Sequence, residues 1–308
     1  MTGPVVAEKI VEPGLVGILC TPGTPGPHPA VLVVGGSEGS VPGFAAAALA
    51  REGFAALAVA YFGVGPLPRD LVEIPIEYFA GALERLARHP AVRPGRLAVL
   101  GRSRGGELAL LLAAAVPERV AGVVAYVPSS VAWQAAPSDP GLAAGGPRSS
   151  WSFRGQPVPY VPMASPTPAD GDLFAAFVSG RPTAFRPLFE RAMRQGDAVG
   201  AAAVAVERIA GPVLVLSGGA DLLWPSELFG RLITGRLERH RHPYRYQHVH
   251  VPEAGHLLGV PGTASRPRRP GFDRLLLGGT VEIDERTSRE HWPAVVEFLR
   301  HSCHFDTV

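Results

Sequence analysis

One serine of the chain stands in a sequence context that is typical of a nucleophile. Ser103 lies in VLGRSRGGELALLLAA, the stretch Val99–Ala114, where Gly-Arg-Ser-Arg-Gly separates two apolar runs. Gly-x-Ser-x-Gly between a strand and a helix indicates a nucleophile elbow, in which a tight turn lifts the hydroxyl above the edge of a sheet. The glycines are needed because neighbouring backbone packs closely there. The alternative is an ordinary turn whose serine caps the helix.

A serine hydroxyl is a poor nucleophile at neutral pH unless a histidine accepts its proton and a carboxylate orients that histidine. On folds of this kind the acid and the histidine follow the serine, each on a loop after a later strand. Asp221 follows the apolar run PVLVLS, and His256 follows YQHVHV. We therefore predict that Ser103, Asp221 and His256 converge at the carboxyl edge of the sheet. A turn or cap role for Asp221 and a structural role for His256 are the alternatives.

The negative charge that develops when a serine attacks a carbonyl group requires N–H donors. The glycine-rich loop Gly35-Gly36-Ser37-Glu38-Gly39 follows an early apolar strand, where the second donor of this fold is found. We predict that the backbone N–H of Arg104 and that of Glu38 or Ser37 form the oxyanion hole. The side chain of Glu38 either helps to position a substrate or faces solvent.

Three side chains are candidate substrate contacts. Arg102 flanks Ser103, as Arg104 does, and such arginines could meet a carboxylate or phosphate group of a substrate. The alternative for both arginines is exposure to solvent or a bond to the insertion described below. Trp133 and Trp151 are aromatic residues of that insertion.

Histidines and cysteines give no pattern of a metal site. Four histidines lie close together in sequence, but no carboxylate or cysteine has the spacing of further ligands; the four are His240, His242, His248 and His250. The two cysteines, Cys20 and Cys303, form neither a zinc motif nor a disulfide framework. We predict that the chain requires no metal and no cofactor.

The elements that position these residues alternate between buried strands and helices, which predicts an α/β fold with a mostly parallel central sheet and helices on both faces. The predicted strands are Ala30–Val34, Phe54–Ala60, Arg96–Leu100, Val120–Val127, Pro212–Ser217 and Tyr246–Val251. The predicted helices are Gly43–Glu52, Ile76–Arg88, Arg104–Ala115 and about Ser288–Leu299.

The alternation stops between Pro128 and about Gly200, where proline, glycine and serine are frequent. This stretch is too long for a plain loop in a compact domain. We predict a single α/β-hydrolase domain over residues 1–308, in which residues 128–200 form a lid over the carboxyl edge of the sheet and set the substrate pocket.

The composition is that of a globular protein, with 46% hydrophobic and 18% charged residues. A net charge of +2, from 29 basic and 27 acidic residues, does not favour nucleic-acid or membrane binding. The first residues, MTGPVVAEKIVEPG, contain no basic segment followed by an apolar one, and no apolar run is long enough to span a membrane. We therefore expect a cytoplasmic protein that acts on a small molecule.

The chain resembles the C-terminal catalytic domain of acyl-CoA thioesterases and bile acid-CoA:amino acid N-acyltransferases, which are dienelactone hydrolase-like α/β-hydrolases. The resemblance extends from about Val31 to the last helix and includes the insertion. It implies a triad of Ser103, Asp221 and His256. The matching stretches are VLVVGGSEGS, ALAVAYFG, EIPIEYFAGAL, LGRSRGGELALLLA, PSSVAWQ, SSWSFRGQPVPYVP, GPVLVLSGGADLLWPS, EAGHLLGVPG and LLLGGT.

Two departures from the family pattern shape the expected function. Full-length members carry an N-terminal β-sandwich domain, and because only about 30 residues precede the first core strand we expect that domain to be absent here. Members that transfer acyl groups to amino acids typically use a cysteine nucleophile, whereas position 103 is serine, which favours hydrolysis. We expect a serine hydrolase that cleaves an acyl thioester or ester. The alternatives are an acyltransferase or cyclising enzyme of a biosynthetic pathway, and a binding protein on an inactive hydrolase fold.

Overall fold

An eight-stranded sheet forms the centre of the computed structural model, which describes residues 4–12, 14–136, 142, 144–163, 168–267 and 272–304. A second, three-stranded sheet is formed by short strands. In chain order the strands are β1 Val5–Glu12, β2 Leu15–Pro22, β3 Ala30–Val34, β4 Ala55–Ala60, β5 Ile74–Pro75, β6 Leu97–Arg102, β7 Val120–Tyr126, β8 Trp151–Phe153, β9 Gln156–Pro157, β10 Val213–Gly218 and β11 Tyr246–Val251.

The large sheet has the strand order β1-β2-β4-β3-β6-β7-β10-β11. From β4 to β11 neighbouring strands are parallel, and β1 and β2 add an antiparallel hairpin at one edge. Every residue of β3, β4, β7 and β10 is buried, as expected for strands that are covered on both faces. The parallel order brings the carboxyl ends of β3, β6, β10 and β11 to one edge.

Helices cover both faces of this sheet. In chain order the described helices are α1 Gly43–Arg51, α2 Ile76–Ala87, α3 Arg104–Ala115, α4 Pro168–Val178, α5 Arg186–Ala192, α6 Gly196–Ala202, α7 Ser226–Arg239 and α8 Val281–His304, of which α1, α2, α3, α7 and α8 pack on the sheet. One apolar cluster packs α2, α3 and α7 against the sheet, and a second cluster packs α1 and α8 against the opposite face. The predicted α/β architecture is confirmed. Among the described residues, no helix combines the length and the apolar character needed to cross a bilayer.

Most predicted elements end within two residues of the observed bounds. The hairpin of β1 and β2, the short strand β5 and the helix α7 were not predicted. The last helix begins at Val281 rather than near Ser288, because Thr280 Oγ1 accepts the N–H of Ile283 at 3.2 Å and so caps a polar first turn. Apolar periodicity does not reveal a turn that is stabilised in this way.

The insertion predicted over residues 128–200 contains β8, β9, α4, α5 and α6. It joins the main body where β8 pairs in parallel with β5, and where Trp133 packs in one apolar cluster with Trp224 and Phe229. Residues 137–141, 143 and 164–167 of the predicted insertion lie outside the described residues.

Candidate active site

Ser103 occupies a strained turn between β6 and α3. Its φ of 57° lies in the left-handed region, which costs a side-chain-bearing residue of the order of 1–3 kcal/mol. Two backbone hydrogen bonds hold the turn. The N–H of Ser103 donates to the Tyr126 carbonyl at 2.9 Å, and the Ser103 carbonyl accepts the N–H of Glu107 at 3.0 Å. The serine is therefore placed by neighbouring backbone and not by its own preference.

The two outer glycines of the pentapeptide permit this turn. A Cβ on Gly101 would overlap the carbonyl of Gly105, and a Cβ on Gly105 would overlap the carbonyls of Val34 and Gly35. The close backbone packing expected from the sequence is confirmed. It also brings the loop after β3 against the start of α3.

Ser103, His256 and Asp221 lie in a hydrogen-bonded row. His256 Nε2 is 2.9 Å from Ser103 Oγ, and His256 Nδ1 is 2.8 Å from Asp221 Oδ2. Ser103 and His256 are each 3% exposed, and Asp221 is completely buried. The structure thus brings together the three residues selected from the sequence, on the turn after β6 and on the loops after β10 and β11.

Further contacts fix the positions of the Asp221 and His256 side chains. The backbone N–H groups of Leu223 and Trp224 donate to Asp221 Oδ1 at 2.9 and 3.2 Å. The indole of Trp224 packs edge-on against the His256 imidazole, with the ring centroids 5.4 Å apart. An oriented carboxylate and a packed imidazole reduce the reorganisation that proton transfer requires.

Asp284, in the first turn of α8, holds the loop that carries His256. Its Oδ1 accepts the N–H of Gly255 at 2.7 Å, and its Oδ2 is buried with no hydrogen-bond partner among the described residues. Burial raises the pKa of Asp284 to about 6, and the charge of Asp221 acts in the same direction, although the N–H groups of Gly255 and Leu257 oppose the rise. Sequence analysis missed this residue because it placed the helix start after it.

The loop predicted to contribute to the oxyanion hole lies next to the nucleophile. A Cβ on Gly36 would stand 3.2 Å from Ser103 Cβ. The hydroxyl of Tyr61 is 2.8 Å from the carbonyl oxygens of both Gly35 and Gly36, and it donates its proton to one of them at a time. This anchor fixes the backbone that leads into Ser37 and Glu38. The roles of their N–H groups and of the Arg104 N–H stay predictions.

A cavity of about 320 Å³ opens onto Ser103 and His256. It lies within the range of small-molecule sites, and most of its lining is apolar. The walls come mainly from the end of β3, from α1 and from residues 257–267 and 272–277, and no described lining residue belongs to the predicted lid. Apolar side chains of the wall include Val34, Phe44, Leu100, Leu257, Val260 and Leu277.

The two tryptophans selected as substrate contacts lie elsewhere, and this corrects the sequence analysis. Trp133 and Trp151 are completely buried and do not line the cavity. The indole N–H of Trp133 donates to Ser129 Oγ at 2.7 Å, and that of Trp151 donates to Glu107 Oε1 at 2.6 Å. A buried indole N–H requires an acceptor, and both indoles have one. The two rings therefore stabilise the insertion as core residues.

Arg102 and Arg104 have different surroundings. Arg104 pairs with Glu107, with Nη1 2.8 Å from Oε2, and donates to Ser150 Oγ, so it is bound by the insertion. Arg102 lines the cavity, pairs with Glu38 and donates through Nη1 to the His256 carbonyl at 3.1 Å. Of the two alternatives to substrate contact, exposure to solvent and a bond to the insertion, the second therefore holds for Arg104.

Glu107 is a buried carboxyl group that joins α3 to the insertion. It is completely buried one turn after Ser103, and besides Arg104 it accepts the N–H groups of the Trp151 indole and, at 3.3 Å, the Trp133 backbone. Burial raises the pKa of Glu107, and the charge of Arg104 together with these hydrogen bonds opposes the rise. Sequence analysis missed Glu107, although a single acidic residue within the apolar run GGELALLLAA could have indicated a buried, paired carboxyl group.

His248 and His250 are neighbours that share the hydroxyl of Ser217, whereas His242 is bonded elsewhere. His248 Nε2 is 2.7 Å from Ser217 Oγ, and burial lowers the pKa of His248 to about 4. His242 Nε2 lies 3.1 Å from the Gly211 carbonyl. Within the described part of the chain, no three His, Cys, Asp or Glu side chains are arranged to hold a metal ion.

Glu107→Ala should lower the free energy of unfolding by about 3–5 kcal/mol, because it leaves the buried Arg104 cation and two N–H donors without their acceptor. The matched control is Glu84→Ala on α2, whose exposed pairs with Arg88 and Arg119 should contribute about 1 kcal/mol or less. Urea unfolding of both variants measures the difference. An equal decrease in the free energy of unfolding for the two variants would contradict a stabilising role of the buried Glu107 contacts.

Asp284→Asn should change how stability depends on pH. The pKa of Asp284 is about 6 in the folded state and about 3.9 when unfolded, so its contribution is fully present below pH ~4 and is lost as the pH rises through about 6. Asparagine keeps an acceptor for Gly255 but does not titrate. The variant should therefore gain stability relative to the unmodified protein between pH 4 and pH 7, as followed by urea unfolding. The same substitution at exposed Asp197 is the control, and a pH-independent difference for Asp284 would contradict the prediction.

Comparison with known proteins gives the family. The family model described as BAAT / Acyl-CoA thioester hydrolase C terminal matches residues 74–138 and 184–304. Human acyl-coenzyme A thioesterase 6 is 30% identical over 96% of this chain and 65% of its own length. Mouse acyl-coenzyme A amino acid N-acyltransferase 1 is 27% identical over 97% of this chain and 66% of its own length. The chain thus spans about two thirds of the length of these curated relatives.

Solved structures support the fold alone. An esterase from Pyrobaculum calidifontis has a TM-score of 0.54 at 20% identity, over 98% of this chain and 86% of its own. A dienelactone hydrolase-like promiscuous phosphotriesterase from metagenomic libraries has a TM-score of 0.55 at 18% identity, over 97% and 99%. With the family match, these likenesses confirm the resemblance found in the sequence: the chain is an α/β-hydrolase that belongs to the BAAT / acyl-CoA thioester hydrolase C-terminal family.

Proposed function

We propose that this protein hydrolyses acyl thioesters or esters through an acyl-enzyme intermediate on Ser103. The observation that carries the proposal is the row from Ser103 Oγ through His256 to Asp221, which opens onto a largely apolar cavity. Transfer of an acyl chain from water into such a cavity lowers the free energy of the system. The names of the curated relatives favour a coenzyme A thioester as the substrate.

The proton relay follows from the hydrogen-bond partners. An ionised carboxylate only accepts hydrogen bonds, so His256 Nδ1 carries a hydrogen toward Asp221 and Nε2 presents its lone pair to Ser103. His256 removes the hydroxyl proton as Oγ attacks the acyl carbonyl carbon. Asp221 stabilises the imidazolium that forms and remains ionised.

The acyl-enzyme forms and breaks through two tetrahedral intermediates. The backbone N–H of Arg104 and that of Glu38 or Ser37 bind the oxyanion; loss of one such donor costs about 10²–10³-fold in rate. His256 then protonates the departing thiolate or alkoxide. In the second half-reaction it activates water, which attacks the acyl carbonyl carbon, and Ser103 recovers its proton when the acid leaves.

Acyl transfer to an acceptor other than water is the second candidate. It is favoured by the likeness to an N-acyltransferase over 97% of the chain. The same acyl-enzyme would then be attacked by an amine or, in a cyclisation, by a group of the acyl chain itself. A cytoplasmic location also stays a prediction, since curated relatives include a peroxisomal and a mitochondrial thioesterase.

Ser103→Ala should lower the rate of thiol release from acyl-coenzyme A thioesters by at least about 10³-fold, because alanine has no nucleophilic atom. Thiol release is measured colorimetrically on a panel from short to long acyl chains. Ser152→Ala is the matched control, since Ser152 bonds to the Glu73 carbonyl outside the cavity. A fluorophosphonate probe should label the unmodified protein and the control but not Ser103→Ala.

The same assay separates the candidates. Acid product without added acceptor supports hydrolysis, whereas amide product that depends on added glycine or taurine supports transfer. Equal thiol release by the unmodified protein and Ser103→Ala would overturn the proposed nucleophile. Labelling of Ser103 without any thiol release would exclude these thioesters and direct the search to oxygen esters and lactones.

A further inference from the structure

Two charged side chains of opposite sign, Arg102 and Glu38, stand together in the cavity wall beside Ser103. We propose that Glu38 determines specificity for acyl groups without a negative charge, because it neutralises Arg102 and presents its own carboxylate to the cavity. This inference rests on the proposed acyl-transfer chemistry of Ser103, and it names the class of acyl group that the site accepts.

The Glu38 carboxylate lies close to the reacting position. It folds back over Gly36, where an added Cβ would stand 2.8 Å from Glu38 Oε2 and, on another side, 3.2 Å from Ser103 Cβ. A charge on the first carbons of an acyl group bound to Ser103 would therefore lie near this carboxylate. Repulsion between that charge and the Glu38 carboxylate should weaken the binding of a charged acyl group relative to a neutral one.

The Arg102 guanidinium is already engaged. Its Nη2 pairs with Glu38 Oε1, and its Nη1 donates to the His256 carbonyl at 3.1 Å. The Arg102 side chain is 16% exposed, whereas that of Glu38 is 31% exposed, so the carboxylate is the more accessible partner. Burial lowers the pKa of Arg102 to about 10, which leaves the guanidinium charged at neutral pH.

The rest of the described cavity lining offers an anion little compensation. Its other charged residue is Arg266, which is exposed and stacks on the Phe44 ring with Cζ 4.5 Å from the centroid. The remaining wall is mainly apolar. A carboxylate that contacts this apolar wall rather than Arg266 would lose its water without gaining a hydrogen-bond partner, whereas a terminal methyl group is favoured by burial.

The test compares pairs of substrates that differ only in the last group of the acyl chain. Butanoyl and succinyl, hexanoyl and adipoyl, and octanoyl and suberoyl coenzyme A thioesters each exchange a methyl group for a carboxylate. The unmodified protein should favour the neutral member in kcat/KM. Glu38→Gln should raise the ratio of charged to neutral kcat/KM by at least about tenfold for at least one pair, which is about 1.4 kcal/mol.

Two variants assign this shift to the ion pair. The double variant Arg102→Gln/Glu38→Gln removes both charges, so the ratio should return to within about threefold of the unmodified value. Glu290→Gln removes one carboxylate from an exposed pair with Arg286, and it should leave the ratio unchanged. Thermal unfolding of every variant shows that the folded proteins are compared.

A second measurement does not require turnover. Butyl and carboxypropyl fluorophosphonates label an active serine by forming an O–P bond with loss of fluoride, and their relative labelling rates should shift in Glu38→Gln as the kcat/KM ratio does. Thiol release that is absent while the labelling ratio shifts would contradict thioester hydrolysis and support the role of Glu38. Equal use of charged and neutral members by the unmodified protein, or unchanged ratios in Glu38→Gln, would overturn the inference.

Discussion

The site depends on the contact between Gly105 and the carbonyls of Val34 and Gly35, where the start of α3 meets the end of β3 with no room for a side chain. This contact sets the Gly35–Gly39 loop beside Ser103, and Tyr61 anchors the same loop from the other side. Nucleophile, loop and cavity wall thus share one rigid junction. Preorganisation of this kind is what makes donors effective toward a developing charge.

Two buried carboxylates support that junction from different directions. Glu107 ties α3 to the insertion through Arg104 and Trp151, and Asp284 ties α8 to the loop that carries His256. Neither side chain lines the cavity. Their burial is costly unless hydrogen bonds compensate, and so each fixes one arrangement of the loops in preference to others.

Sequence reasoning succeeded where chain order alone determines position. Parallel strands end at one edge, so residues directly after β6, β10 and β11 had to approach one another, and this selected Ser103, Asp221 and His256. Sequence reasoning was less successful in deciding which long segment forms the wall of the cavity. The composition of residues 128–200 suggested a lid, yet residues 257–267 and 272–277 contribute to the described cavity wall, and Trp133 and Trp151 proved to be core residues. An aromatic side chain serves a pocket and a core equally well, and only packing separates the two roles.

The cavity wall and the insertion occupy separate stretches of the chain. The insertion holds hydrogen-bonding groups around Glu107, whereas the described pocket is shaped mainly by the loop after β3, by α1 and by residues 257–267 and 272–277. Mutations that resize the pocket therefore need not disturb the interactions that support the nucleophile helix. For protein engineering, this division means that the volume of the pocket and the hydrogen bonds around Glu107 can be altered one at a time.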